Sequence, residues 1–190
     1  MWSHHLLLIQ STSVTPFKSI IVVKHRPERL WVTIRDRMSD LAAMLDDVER
    51  VTVLERQVTD NGDVRLLNEW RAKPLLPAAM SSLVDPSLLG WHDRAEWHEA
   101  ERRCTWSIEP FFLPGRIQCT GVTSYEEAMG GRGARVTFEG TLALDLSTLM
   151  GPSVFDRGLN ALAENIVTTL IPKNFRKTVE AAARVLEREA

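Results

Sequence analysis

The alternation of polar and apolar positions divides this chain into strands first and one long helical stretch last. Ser19 to His25 is a short β-branched run, and Pro27 just after it suits the first turn of a helix. Pro27 to Arg35 carries Leu30, Trp31 and Ile34 at helical spacing, and Ser39 to Asp47 does the same with Leu41, Met44 and Leu45. A helix pair is therefore predicted after the first strand. From Val48 the period changes to two. Val48–Thr59 and Val64–Ala72 flank Asn61-Gly62, and Asn-Gly between two such runs is a strong hairpin signal. In the second run Val64, Leu66, Asn68 and Trp70 share one face. Lys73 to Gly90 breaks the alternation with Pro74, Pro77 and Pro86, as a lid, an insertion or an irregular edge strand does. Alternation resumes in Trp91–Glu99, Arg103–Phe112, Ile117–Glu127 and Ala134–Leu146. The last of these sets Val136, Phe138, Gly140, Leu142, Leu144 and Leu146 against polar neighbours. One buried and one wet face is how antiparallel sheets read.

The tail, Ser153 to Arg188, is the longest helix-period stretch. Phe155, Leu159, Leu162, Ile166 and Leu170 form one stripe. Beyond Pro172 the apolar positions are Phe175, Val179, Ala182 and Leu186, on nearly the opposite side. Proline lacks the amide donor and disfavours helical geometry in the residue before it. A straight helix of this length would span about 52 Å, against roughly 42 Å for a compact domain of this size. Two helical arms, bent or broken within Thr169–Pro172, are predicted. Residues 1–17 are read as a tail or an added edge segment, and residues 18–190 as a single domain. Met1–Gln10 lacks the basic start and small-residue cleavage site of a signal peptide. A curling sheet of six or seven strands covered by one long helix does not meet it everywhere, and the gap is a cavity.

Composition narrows the function. Of 190 residues, 44% are hydrophobic and 25% charged, the balance of an ordinary globular protein. A net charge of -2 leaves no basic footprint for nucleic acid. No apolar run approaches a membrane span, so no stable membrane insertion is expected. Two cysteines, Cys104 and Cys119, are too few for a disulfide scaffold or a cysteine-rich zinc site, and a cytoplasmic location follows as the expectation. Six tryptophans and six phenylalanines against one tyrosine supply much aromatic surface that needs an apolar home.

No phosphate-binding, dinucleotide-binding or metal-binding motif is present, so no metal and no cofactor is expected. Gly130-Gly131-Arg132-Gly133 lies between two strands and reads as a hairpin turn. The densest ionisable run is His92, Asp93, Arg94, Glu96 and His98. With Trp91 and Trp97 inside, His92, Arg94, Glu96 and His98 face solvent, and Asp93 becomes the one inward acid. It is a candidate general acid or ligand acceptor, or else a strand-end group in water. Asn68, between Leu66 and Trp70, is either tied to the backbone or turned into the cavity to orient a ligand. Trp70, Trp91, Trp106 and Phe138 are the candidate cavity wall, or plain core.

The element order, the opening SIIVVKH-x-PERLW and the ending IPKNFRKTVEAAARVLE resemble the START-like or SRPBCC superfamily, over about Lys18 to Glu189. The resemblance implies an α+β helix-grip fold, a curved antiparallel sheet wrapped around a long C-terminal helix. It also implies a hydrophobic or amphipathic ligand, such as a lipid or polyketide, bound for transport or sequestration. Trp70, Trp91, Trp106, Phe138 and Leu142 would line the sheet side, and Leu162, Ile166 and Leu170 the helix side. The alternative is a polyketide cyclase/dehydratase-type enzyme using Asp93 and Asn68. The sequence leaves the oligomeric state open.

Overall fold

The computed structural model describes residues 12–73, 85–111, 114–145 and 171–189. Strand β1 (Thr12–Val23) leads into helices α1 (Pro27–Asp36) and α2 (Met38–Ala42). Strands β2 (Val48–Val58), β3 (Val64–Ala72), β4 (Gly90–His98), β5 (Arg103–Pro110), β6 (Ile117–Ala128) and β7 (Gly133–Asp145) follow, and helix α3 (Ile171–Arg188) ends the order. The seven strands form one antiparallel sheet in the order β1-β7-β6-β5-β4-β3-β2. This is the expected α+β architecture, with the helix pair after the first strand.

The turns form where the sequence places them. Gly62 takes a φ of 87° in the β2–β3 hairpin, and Gly130 and Gly131 take 64° and 80° between β6 and β7, where only glycine is unstrained. In α1, Pro27 occupies the first turn and Leu30, Trp31 and Ile34 are buried. Trp31 meets Trp97 and Tyr125 edge-on, at ring-centre separations of 4.8 and 5.2 Å.

Two elements differ in extent from the sequence reading. The first strand begins at Thr12 rather than Ser19, and residues 12–17 pair with β7 along the sheet edge. Pro16 lies within this strand; β1 is an edge strand, and an edge offers positions where a missing amide costs no ladder bond. The second helix stops at Ala42, short of Asp47. Its end is tightened by bonds from Met44 N to Leu41 O and Leu45 N to Ala42 O, which span three residues instead of four.

The described part of helix α3 includes Pro172, and its stripe of Val179, Ala182 and Leu186 is buried, with Phe175 half-buried. Lys173 is exposed, and Lys177 reaches Asp46 and Asp47 at 3.3 and 3.1 Å. The first arm of the predicted tail, with Leu162, Ile166 and Leu170, lies outside the described residues, and with it the predicted bend.

The centre of the core is aromatic. Trp106 stacks on Phe138 at 4.7 Å, and Phe138 stacks on Phe175 of α3 at 4.3 Å. Trp106 lies flat because the residues beside it on the next two strands, Gly121 and Gly140, have no side chains. A Cβ on Gly121 would collide with Glu139 O and the Trp106 ring, and one on Gly140 would sit 2.7 Å from Trp106 Cη2 and 2.9 Å from Phe17 Cζ. Gly121→Ala is therefore expected to lower stability by about 1–3 kcal/mol through overpacking. Urea unfolding followed by tryptophan emission measures this; an alanine variant of unchanged midpoint would refute the packing argument.

Candidate functional site

Residues paired across strands point the same way, so the inner face of the sheet can be followed row by row. One row runs Val53, Asn68, Asp93, Ile108, Cys119 and Leu142. The row beside it begins Val51, Trp70, Trp91. At the β6–β7 end these rows are packed away: Cys119 and Leu142 are each 1% exposed. Toward β2 they open. Val53 is 43% exposed, and Trp91, Asp93 and Ile108 are half-buried. The β2–β3 register slips between Val53 and Glu55, a bulge that bends the edge strand beside this opening. Among the described residues the inner face is thus left partly open here, a shallow hollow in which half-buried Asp93 lies beside Val53, Trp91 and Ile108.

Asn68 and Asp93 face each other across β3 and β4, and Asn68 Nδ2 donates to Asp93 Oδ2 at 3.2 Å. Asn68 is thus tied neither to the backbone nor to solvent. It is 2% exposed, and its Oδ1 is buried without a partner. Trp70, 8% exposed, stacks on Trp91 at 5.4 Å with rings within 15° of parallel. Its Nε1 is buried and makes no well-aligned hydrogen bond, although its proximity to Asp93 favours the carboxylate form. Burial dominates all the same and pushes the Asp93 pKa up to about 6. The carboxyl is surrounded by protein, while the residue as a whole is half-buried. Among the described residues no cation stands near enough to offset it.

The inward thiols and phenol stay neutral. Burial pushes the Cys104 thiol well up, with the charge of Asp93 adding to the effect, and takes Cys119 to about 12. Burial likewise holds the Tyr125 phenol well above its ordinary range. Neither thiol offers a thiolate nucleophile. On the outer face, Arg65 pairs with Glu96 at 2.8 Å, His98 lies 3.5 Å from Asp63, and His92 lies 4.0 Å from Glu69, the solvated row expected from the alternation. Among the described residues no cluster of His, Cys, Asp or Glu could hold a metal ion, and no helix is long and apolar enough to cross a membrane.

Of the wall residues suggested by sequence, Trp70 and Trp91 border the hollow beside Asn68 and Asp93. Trp106 and Phe138 are buried in the aromatic stack, with the Trp106 indole N–H donated to Thr123 Oγ1 at 3.1 Å, and Leu142 is buried behind them. Leu162, Ile166 and Leu170 are outside the described residues. Val53 and Ile108 belong to the hollow, and the sequence reading does not include them among the site residues. Alternation alone places Ile108 inward, but only the β4–β5 register sets it opposite Asp93. A dish of about 660 Å³ on the outer face near Lys18, Val122 and Glu139 contains none of this chemistry.

No family model and no curated protein sequence matches the chain. Solved structures do. A protein from Thermus thermophilus superposes with a TM-score of 0.62 at 19% identity, covering 93% of this chain and 100% of that one. Norcoclaurine synthase from Thalictrum flavum, in complex with dopamine and hydroxybenzaldehyde, gives 0.63 at 10% identity over 100% and 96%. The ZhuI aromatase/cyclase of a Streptomyces species gives 0.60 at 12% over 93% and 95%. The chain has the helix-grip fold that these proteins and the birch-pollen-allergen-like group share. At such identities the likeness is one of fold.

The state of Asp93 makes a stability prediction. Its carboxyl titrates near 3.8 when unfolded and near 6 when folded, so the folded state holds the proton more tightly. The stability this group contributes is fully present below the unfolded value and is lost as pH rises through about 6. Asp93→Asn keeps an acceptor for Asn68 and removes the charge. It should be more stable than the native protein at pH 7.5, by on the order of 1–2 kcal/mol after allowing for the open side of the carboxyl. The gap should close toward pH 4. Melting curves of both proteins from pH 4 to 8 decide; a constant difference would refute the assignment.

Proposed function

We propose that this protein binds a hydrophobic or amphipathic small molecule on the inner face of its sheet, in the hollow around Asp93. The observation that carries this reading is the opening itself. Val53, Trp91 and Ile108 keep apolar surface accessible on a face that is buried elsewhere, beside polar atoms that have no partner. Ligand sites combine an apolar wall with a few converging polar groups in this way. An unpaired buried polar atom costs about 1–3 kcal/mol, which a ligand group can recover. In this reading Trp70 and Trp91 form the sheet-side wall, Trp106, Phe138 and Leu142 back it, and Leu162, Ile166 and Leu170 supply the helix side. Transport or sequestration of a lipid or polyketide, in the cytoplasm, fits this description.

A second reading is favoured by one observation. A carboxyl that titrates near 6 can donate or accept a proton close to neutral pH. In a cyclase or dehydratase, Asp93 would be the acid-base group and Asn68 would position it. The same fold in ZhuI aromatase/cyclase and norcoclaurine synthase belongs to catalysts. Against it stands the shortage of a second working group, since Cys104 and Tyr125 are held neutral.

The test is a titration of detergent-free protein with fatty acids, sterols and aromatic polyketide-like compounds, following tryptophan emission and melting temperature, with mass spectrometry of any co-purified molecule. A ligand should shift the emission and raise the melting temperature by linkage. Trp91→Ala should weaken binding about tenfold, the loss of ~60 Å² of contact at ~25 cal/mol per Å². If no class of compound alters emission or melting, the binding reading fails.

A further inference from the structure

The binding reading names no polar chemistry for the ligand, and the hollow itself supplies that information. Each hydrogen-bonding atom facing it can be counted. The Asp93 carboxylate has about four lone-pair sites, and Asn68 Nδ2 fills one of them. Asn68 Oδ1 is an acceptor with nothing bonded to it. Donors beside it are the second N–H of Asn68 Nδ2 and the indole N–H of Trp70, which is buried and poorly aligned. Among the described residues these leave carboxylate lone pairs and Asn68 Oδ1 without a donor.

Among the described residues the site's charge is uncompensated in the same sense. The acids Asp36, Asp46, Asp47, Asp63 and Glu69 each stand within ion-pair distance of a basic side chain. Asp93, the acid on the inner face, does not. The charged groups of the surrounding elements are engaged elsewhere or face away. Arg56, inward on β2 by its pairing with Leu66, is bound to Asp36 at 2.9 Å. Arg65, Glu69 and Arg71 of β3 are on the outer face. On β4, His92, Arg94, Glu96 and His98 are likewise outward, as are Arg103 and Glu109 on β5, which leaves Cys104 as the inward titratable group there, held neutral. Lys177 of α3 is bound to Asp46 and Asp47, and Lys173 is exposed. Two residues along from Asn68 and Asp93, about 7 Å at the rise of a strand, lie the parallel rings of Trp70 and Trp91.

We propose that the hollow recognises a protonated amine on an apolar body, with the ammonium held by Asp93 and Asn68 Oδ1 beside the Trp70–Trp91 pair. An alkylammonium supplies three N–H donors and the missing positive charge. A hydroxyl supplies one donor and no charge, and a carboxylate, such as a fatty acid head, would meet Asp93 with like charge. Indole faces attract cations, which adds to the preference. The proposal rests on the binding reading above and specifies its ligand.

Two probes of matched shape separate the possibilities: 2-(2-naphthyl)ethylamine and 2-(2-naphthyl)ethanol, measured by calorimetry. At pH 7.5 the amine should bind about tenfold or more tighter than the alcohol, the margin of a charge-assisted over a neutral hydrogen bond. Amine affinity should fall as pH drops through about 6, where Asp93 takes up its proton, while alcohol affinity stays level. In Asp93→Asn the amine-to-alcohol ratio should collapse to near one. Asp93→Ala provides the same readout should the amide variant misfold. An alcohol that binds as tightly as the amine, or a ratio indifferent to pH and to Asp93, overturns the proposal. If neither probe binds while a neutral compound from the wider titration does, the ammonium preference falls alone. If nothing binds, the reading beneath it falls too.

Discussion

The shape of this protein depends on an indole ring lying over two glycines. Strands β6 and β7 bring Gly121 and Gly140 side by side, and Trp106 occupies the space their side chains would fill. The ring then stands in the right plane to stack on Phe138, which stacks on Phe175 of α3, both pairs with rings within 13° of parallel. Aromatic pairs contribute about 0.5–1.5 kcal/mol each beyond the area they bury. Their larger consequence is positional. The stack fixes the first turns of α3 against the β6–β7 half of the sheet, and the buried bond from the Trp106 indole to Thr123 leaves the ring one orientation. Arg176 of the same helix donates to Ile20 O on the free edge of β1, which partners one edge carbonyl.

That anchoring gives the sheet two unlike halves. Near β1, β7 and β6 the inner face is sealed by α3 and α1. Toward β2 nothing among the described residues seals it: Thr52 to Val58 are exposed on both faces of the strand. Asn68 and Asp93 sit where the sealed half gives way to the open one. Farther in, a carboxyl without a counter-charge would be too costly to ionise; farther out, it would be screened by water and have little affinity for anything. At the boundary its desolvation is enough to hold the pKa near 6 while a partner can still reach it.

The sequence disclosed faces far better than it disclosed neighbours. Alternation assigned Val64, Leu66, Asn68 and Trp70 inward, and all four are buried, because a single wet face forces strict period-two patterning. The same logic turned Asp93 inward once the two tryptophans of its strand were weighed against the histidines. Extents were harder. The first strand begins at Thr12, ahead of the β-branched run from Ser19, and includes Pro16, which an edge tolerates. Register was out of reach for a different reason. Asn68 and Asp93 lie on strands joined by a long connection, and a connection of that length does not set pairing as the two-residue Asn61-Gly62 turn does. The two polar residues could each be named, but their hydrogen bond could not. Gly121 and Gly140 carried a legible hint, glycines within otherwise strong strands, whose meaning depends on which large ring the register sets beside them.

The polar pair also shows which interactions matter here. Surface ion pairs such as Lys18–Glu139 and Arg102–Glu28 join exposed groups, and pairs of this kind contribute little to stability. Asp93, without a counter-charge among the described residues and beside a half-satisfied amide, opposes folding at neutral pH. A hydrophobic pair in those two positions would pack the row without cost, as Ile108, Cys119 and Leu142 do farther along it. Retaining a carboxylate and an unpaired carbonyl oxygen at the open end of an apolar row makes physical sense when a third group completes them. Among the described residues the side open to such a group is the β2 side, past Val53, because the aromatic stack closes the other.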